Sequence, residues 1–168
     1  MRPLPGTYPP YFENYINLVQ EEKINFALRN NWNDIHKVLS SVQPDKENYA
    51  YADGKWTVKQ LVNHVLDAER VFAYRALRFA RRDPQVPLPF DENLYAQNSF
   101  AENRKFMQLI NEFEHVRKAN SLLFESFSEE TLLYCGQTRG GSTSVLAIGY
   151  MICGHAQHHL NILKERYL

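Results

Sequence analysis

Near its C-terminal end the chain reads Gly154-His155-Ala156-Gln157-His158-His159-Leu160, which places three of its six histidines within five positions. Imidazole carries protons near neutral pH and is the commonest metal ligand among side chains. One helical turn brings residues i and i+4 together, so His155 and His159 can aim ring nitrogens at one point. They also sit on an apolar line, Ile148, Ile152, His155, His159, Ile162, which steps by four and three and therefore faces a core. His158 lies on a different line, Met151, Gly154, His158, Asn161, Glu165, which is mostly polar and belongs to a flank.

A third inward histidine stands far upstream. Leu61, His64, Ala68, Val71 and Arg75 again alternate steps of three and four, which turns His64 inward. Three imidazoles from two helices would leave a coordination position open for water or substrate, the usual arrangement of a catalytic zinc, and the same ligands suit nickel or iron. Spacing alone also permits a bland alternative, histidines hydrogen-bonded within a core.

Other residues enter around this trio. Asp67, three positions after His64, could be a fourth ligand, a partner orienting a histidine, or a general base, or it could form an ordinary salt bridge. Arg75 continues the inward line. An unpaired guanidinium there would be costly, so it is expected to meet Asp67, Glu69 or an anionic substrate group. Glu69 and Arg70 read as structural, and Trp56 as a core anchor before the second helix. Cys153 reads as a small buried residue, and His36 and His115 as surface residues. His158 is a rim residue that carries no catalytic role.

The elements that must position these groups are helical. Four prolines and a glycine in "MRPLPGTYPP" make residues 1–10 an irregular arm. A first helix is expected from Tyr11 to about Ser41, a second from Val58 to Arg81, a third from Phe100 to Phe127 and a fourth from Val145 to Arg166. The second opens on Thr57 and Gln60 and the third on Ser99 and Glu102, both with capping-box spacing. Between them, "DPQVPLPFDENLYAQN" has three prolines and no period, and is read as a long loop that forms a lid or site wall. No strand is expected. The pattern is all-α, a four-helix bundle with long connections, in one domain spanning 1–168.

Totals exclude some classes. Nineteen basic residues balance nineteen acidic ones, so no net field attracts nucleic acid or an anionic membrane. Two cysteines are too few for a disulfide framework, and the expected location is cytoplasmic. No apolar run approaches the ~18 residues or more of a membrane span.

Three stretches carry a family resemblance: "GKWTVKQLVNHVLDAERVFAYRALRFARRD", "LPFDENLYAQNSF" and "YMICGHAQHHLNILKERYL". Together they resemble the DinB-like superfamily of metal-binding four-helix bundles, nearest its branch of metal-dependent hydrolases and low-molecular-weight thiol transferases. The resemblance implies a divalent ion, zinc or nickel, on His64, His155 and His159, the same three residues that the helical phase turns inward. It further implies a homodimer and chemistry on a small thiol such as bacillithiol, mycothiol or glutathione. The expected function is a metal-dependent small-thiol S-transferase or hydrolase acting on a small molecule. The alternative is a metal-binding bundle without turnover that serves as a ligand-binding or interaction module.

Overall fold

The computed structural model describes residues 1–168. Seven α-helices appear in chain order: α1 (Glu13–Asn17), α2 (Ile24–Leu39), α3 (Val58–Ala80), α4 (Glu92–Gln97), α5 (Phe106–Glu125), α6 (Glu129–Leu133) and α7 (Val145–Arg166). Four of them, α2, α3, α5 and α7, form the bundle expected from the sequence. Both α2 and α3 pack against α5 and against α7, so α2 and α3 face each other across a diagonal. Successive helices on a diagonal need long connections, and α3 and α7, the two bearers of inward histidines, become direct neighbours. No helix is long and apolar enough to cross a membrane.

Where local signals agree with packing, the expected boundaries hold. Thr57 and Gln60 form a reciprocal capping box: the Thr57 amide donates to Gln60 Oε1 at 2.9 Å and the Gln60 amide to Thr57 Oγ1 at 3.2 Å. Ser144 caps α7 by accepting from the Ala147 amide at 3.0 Å.

Three expectations fail. The first helix is not continuous from Tyr11 to Ser41, because residues 18–23 leave helical geometry between α1 and α2. Carbonyls at the end of α1 and within the break are taken by distant side chains: Arg2 donates to Ile16, Val19 and Glu21, and Tyr150 Oη donates to the Glu21 carbonyl at 2.8 Å. Those tertiary donors replace the helix's own amides at the break. The third helix starts at Phe106 rather than Phe100, and the Ser99 capping box does not form. Ser99 Oγ instead accepts from the Ala101 amide at 3.3 Å, Phe100 takes a left-handed φ of 51°, and Ala101 is fully buried in a 3-10 turn packed on α3.

The third correction is a β-hairpin. β1 (Cys135–Thr138) pairs antiparallel with β2 (Gly141–Ser144), with Cys135 opposite Ser144 and Thr138 opposite Gly141. Gly141 has a φ of +125°, open to glycine alone among ordinary residues. Strands of four residues are too short to show a period, and "QTRGGSTS" reads in the sequence only as a glycine- and hydroxyl-rich entry to the last helix. The hairpin is tied to the N-terminal arm by the Ser144 amide, which donates to the Thr7 carbonyl at 2.8 Å.

The interior is layered. One apolar cluster gathers Phe72, Phe79, Phe124, Ile148 and Ile152, and a second gathers Leu61, Leu66, Leu109, Phe113 and Leu163. Burying each such side chain contributes about 1.5–3 kcal/mol. Buried polar residues lie at the level between the clusters along α2, α3, α5 and α7: Asn31, His64, Glu69, Arg117, Asn120 and His155.

Candidate metal centre

Helix phase and helix adjacency together bring the three predicted histidines to one point. His64 Nε2 lies 3.1 Å from His155 Nε2, and His159 Nε2 lies 3.1 Å from the same atom. All three offered nitrogens fall within 4.8 Å of one another. His64 and His155 are buried and His159 is half-buried.

The arrangement is unsatisfied without a central cation. A neutral imidazole has one N–H and one in-plane lone pair, so His155 Nε2 cannot make good hydrogen bonds with two other Nε2 atoms at once. A cation between the rings accepts a lone pair from each, and the 3.1 Å separations are close to the ~3.3 Å edge of a tetrahedron of nitrogens ~2.0–2.1 Å from zinc. Nδ1 of His64 and of His159 is then the protonated nitrogen, and both are buried without a protein acceptor.

Aromatic rings hold the imidazoles in place. Trp56 lies 4.6 Å from the His64 ring, centroid to centroid, and Tyr15 and Phe72 meet His155 edge-on at 5.7 and 5.8 Å. Tyr15 reaches this position because α1 lies against α7 at Gly154. A Cβ there would come within 2.0 Å of the Tyr15 carbonyl oxygen, so the glycine of the histidine motif is what admits α1.

Burial keeps the three rings neutral. It lowers the His64 pKa from 6.5 to about 4 and that of His159 to about 3. His155 is also pushed well below the ordinary value, by burial first and then by the neighbouring imidazoles. Unfolded imidazoles take up protons as pH falls through 6.5, whereas these folded ones do not until about 4 and about 3. Acid therefore favours the unfolded chain across that window. Metal-free protein is expected to lose on the order of a few kcal/mol of stability between pH 7 and pH 4. Urea unfolding midpoints measured along that range check it, and a flat profile would show that these rings do not stay neutral when folded.

The trio forms the floor of a cavity of about 550 Å³, walled by Tyr11, Phe12, Phe72, Phe90 and two prolines, Pro87 and Pro89. The loop expected as a site wall does supply Pro87, Pro89 and Phe90, and it also contains α4, whose Glu92 is the one carboxylate on the wall. Asp91 caps α4, accepting from the Asn93 and Leu94 amides at 3.0 Å.

Asp67 is not brought to the histidines. Its Oδ2 accepts from Asn63 Nδ2 at 2.7 Å and its Oδ1 lies 3.7 Å from Arg70, in a network that includes Arg104 and Glu112 on the α5 side. Three residues fall about 60° short of a full helical turn, which leaves Asp67 at the edge of the His64 face, and the Asn63, Arg70 and Arg104 cluster holds it on the α5 side. Arg75 does reach the cavity but meets neither Asp67 nor Glu69, because Glu69 is bound by Arg117 through two 2.8 Å bonds. Trp56 is more than a core anchor: it lines the cavity and stacks on a ligand candidate. His158 packs on Tyr15 and on His159 without joining the trio. His36 and His115 are exposed, and Cys153 is fully buried with its thiol pushed up to about 12 by burial.

Tyr15, Phe72, Glu92 and Arg139 are site residues that sequence reading missed. The proline-rich loop pointed to the neighbourhood of Glu92, whereas Tyr15 lay inside a helix drawn as continuous and Arg139 in a segment read as the entry to the last helix.

Fold and site define a four-helix bundle with a buried three-imidazole cluster at the floor of an open cavity. The sequence profile of the DinB superfamily matches residues 27–163, and the chain belongs to that superfamily. It is 26% identical over 137 residues to a protein of Geobacillus thermodenitrificans (strain NG80-2) named "Putative metal-dependent hydrolase", covering 79% of this chain and 76% of that one. Among solved structures it resembles YfiT from Bacillus subtilis, described as "a probable metal-dependent hydrolase with an unusual four-helix bundle topology". The TM-score is 0.76 at 13% identity, with 98% of this chain and 90% of that chain covered. It also resembles the mycothiol-dependent maleylpyruvate isomerase, with a TM-score of 0.69 at 15% identity over 86% of this chain and 61% of that longer one. At these identities the two structures establish the shared fold.

Proposed function

We propose that the protein is a metal-dependent enzyme whose His64, His155 and His159 hold a divalent ion, zinc or nickel, through Nε2. It acts on a small molecule in the adjoining cavity, by transfer of a small thiol or by hydrolysis. The observation that carries this reading is the convergence of three neutral Nε2 atoms, unsatisfied by one another, on the floor of a cavity. A divalent ion held there supplies Lewis acidity, which makes a thiol or a water nucleophilic at neutral pH.

The chain's own residues supply the rest. Trp56, Tyr15 and Phe72 fix the imidazole planes, which keeps three lone pairs pointed at one spot. The aromatic and proline walls thin the water around a bound molecule and strengthen polar contacts made inside. Glu92, the one carboxylate on the cavity wall, would take the proton-transfer role first considered for Asp67, accepting a proton from the nucleophile and returning it to a leaving group. The names of the relatives, a metal-dependent hydrolase and a mycothiol-dependent isomerase, support the same chemistry.

Protein loaded with one equivalent of zinc or nickel should turn over either an electrophile such as monochlorobimane with a small thiol, or an ester such as 4-nitrophenyl acetate without one. Chelation should abolish the turnover. Rates unchanged when every thiol is withheld rule out the transferase branch, and a loaded protein inert in both assays leaves a metal-binding module without turnover.

A further inference from the structure

Arg75 is unlike the other arginines within α3 and unlike Arg82, Arg104 and Arg117 beside it; Arg81, at the helix end, also lacks a carboxylate but is exposed to solvent. Arg70, Arg78, Arg82, Arg104 and Arg117 each meet a carboxylate. Arg75 forms no ion pair, and of its five N–H groups only one on Nη2 has a protein acceptor, the Leu88 carbonyl at 3.1 Å. The side chain is half-buried and borders the cavity, with its guanidinium carbon 6.0 Å from the Phe72 ring. The spare donors face the open cavity, where water or an anionic group of a bound molecule receives them.

A second cation faces the same space. Arg139, at the tip of the β1–β2 hairpin, also lines the cavity. Two guanidinium groups against the single carboxylate of Glu92 leave the wall net positive before any metal is counted. The surfaces around them are apolar: Phe72, Phe90, Pro87 and Pro89. A planar fork of donors on an apolar wall is matched by a carboxylate, which accepts two parallel bonds, carried on an aromatic or aliphatic body.

We propose that Arg75, assisted by Arg139, is a carboxylate-binding subsite, and that the molecule acted on is a small carboxylic acid with an apolar body. The carboxylate lies against Arg75, and the apolar body runs along Phe72 toward the histidines. The direction of the reacting end rests on the metal-enzyme reading above, whereas the subsite itself does not. The Leu88 carbonyl bond gives Arg75 a second role, since it ties the wall loop to α3.

Calorimetric titration of the metal-loaded protein with benzoate, phenylacetate and 3-phenylpropanoate, each beside its neutral amide, tests the assignment. A hydrogen-bonded pair with a charged partner contributes about 1.5–3 kcal/mol, so at least one acid should bind about tenfold or more tighter than its amide. Arg75→Gln should reduce that ratio to below about twofold with metal content and melting temperature unchanged, Arg139→Gln should reduce it in part, and Arg75→Lys should fall between. A preference that survives in Arg75→Gln, or that vanishes from the wild type when metal is stripped, places the carboxylate on the ion and overturns the proposal. So does the lack of any acid preference across the series. A chain that binds no metal yet keeps an Arg75-dependent preference retains the subsite and removes the metal-enzyme reading, so the two fail separately.

Discussion

His155→Ala is expected to take bound metal from about one ion per chain to less than a tenth of that, with loss of the stabilisation that added zinc gives the wild type. The effect should be the largest of any single histidine replacement because His155 Nε2 is the atom shared by both 3.1 Å contacts, so its removal leaves His64 and His159 without a common vertex. A bound ligand at a hundred times its Kd adds about 2.7 kcal/mol to stability. That margin should be present in wild type and absent from the variant. His158→Ala, outside the trio, should keep both the ion and the margin. Elemental analysis of chelator-free protein and paired thermal melts check this. Metal retained at full occupancy in His155→Ala would move the site elsewhere.

Glu69→Ala is expected to destabilise the protein by about 3–5 kcal/mol, the largest stability effect of a single polar replacement in this chain. Arg117 and Glu69 are both nearly inaccessible, with side chains 2% exposed, and are joined by two 2.8 Å bonds. Arg117 also donates to the Leu28 carbonyl at 3.0 Å and to Asn31 Oδ1 at 2.8 Å, and Asn120 donates to Glu69 at 3.0 Å, so the network joins α2, α3 and α5. Removing the carboxylate leaves a buried guanidinium without its counter-charge. For a chain of this length the loss is about 6–20 °C in Tm. Glu69→Leu combined with Arg117→Met removes both charges at similar volume and should recover most of the loss. Denaturant unfolding of the single and double variants decides the matter, and a single variant within about 1 kcal/mol of wild type would show that water reaches the pair.

Much of the site was legible because helical phase is a local property. His64, His155 and His159 could be assigned inward by counting steps of three and four, and Thr57 with Gln60 marked the start of α3 through bonds made within four residues. What failed depended on distant groups. Asp67 and His64 share a helix, and only the position of Arg70, Arg104 and Glu112 shows which way the carboxylate turns. The break between α1 and α2 has no proline or glycine to announce it, since its carbonyls are claimed by Arg2 and Tyr150 from remote parts of the chain. Glu69 was free to pair with Arg75 until the packing of α5 brought Arg117 to it.

The sequence by itself determined the all-α class, two of the four main helix starts and the three imidazoles, because periodicity and capping operate over one or two turns. Tertiary structure alone decided that α3 and α7 are neighbours, so that the imidazoles meet. It also decided that Glu92 rather than Asp67 faces the cavity and that Arg75 ends without a carboxylate partner. Each of these depends on which elements pack together, and packing is settled by contacts between residues tens of positions apart.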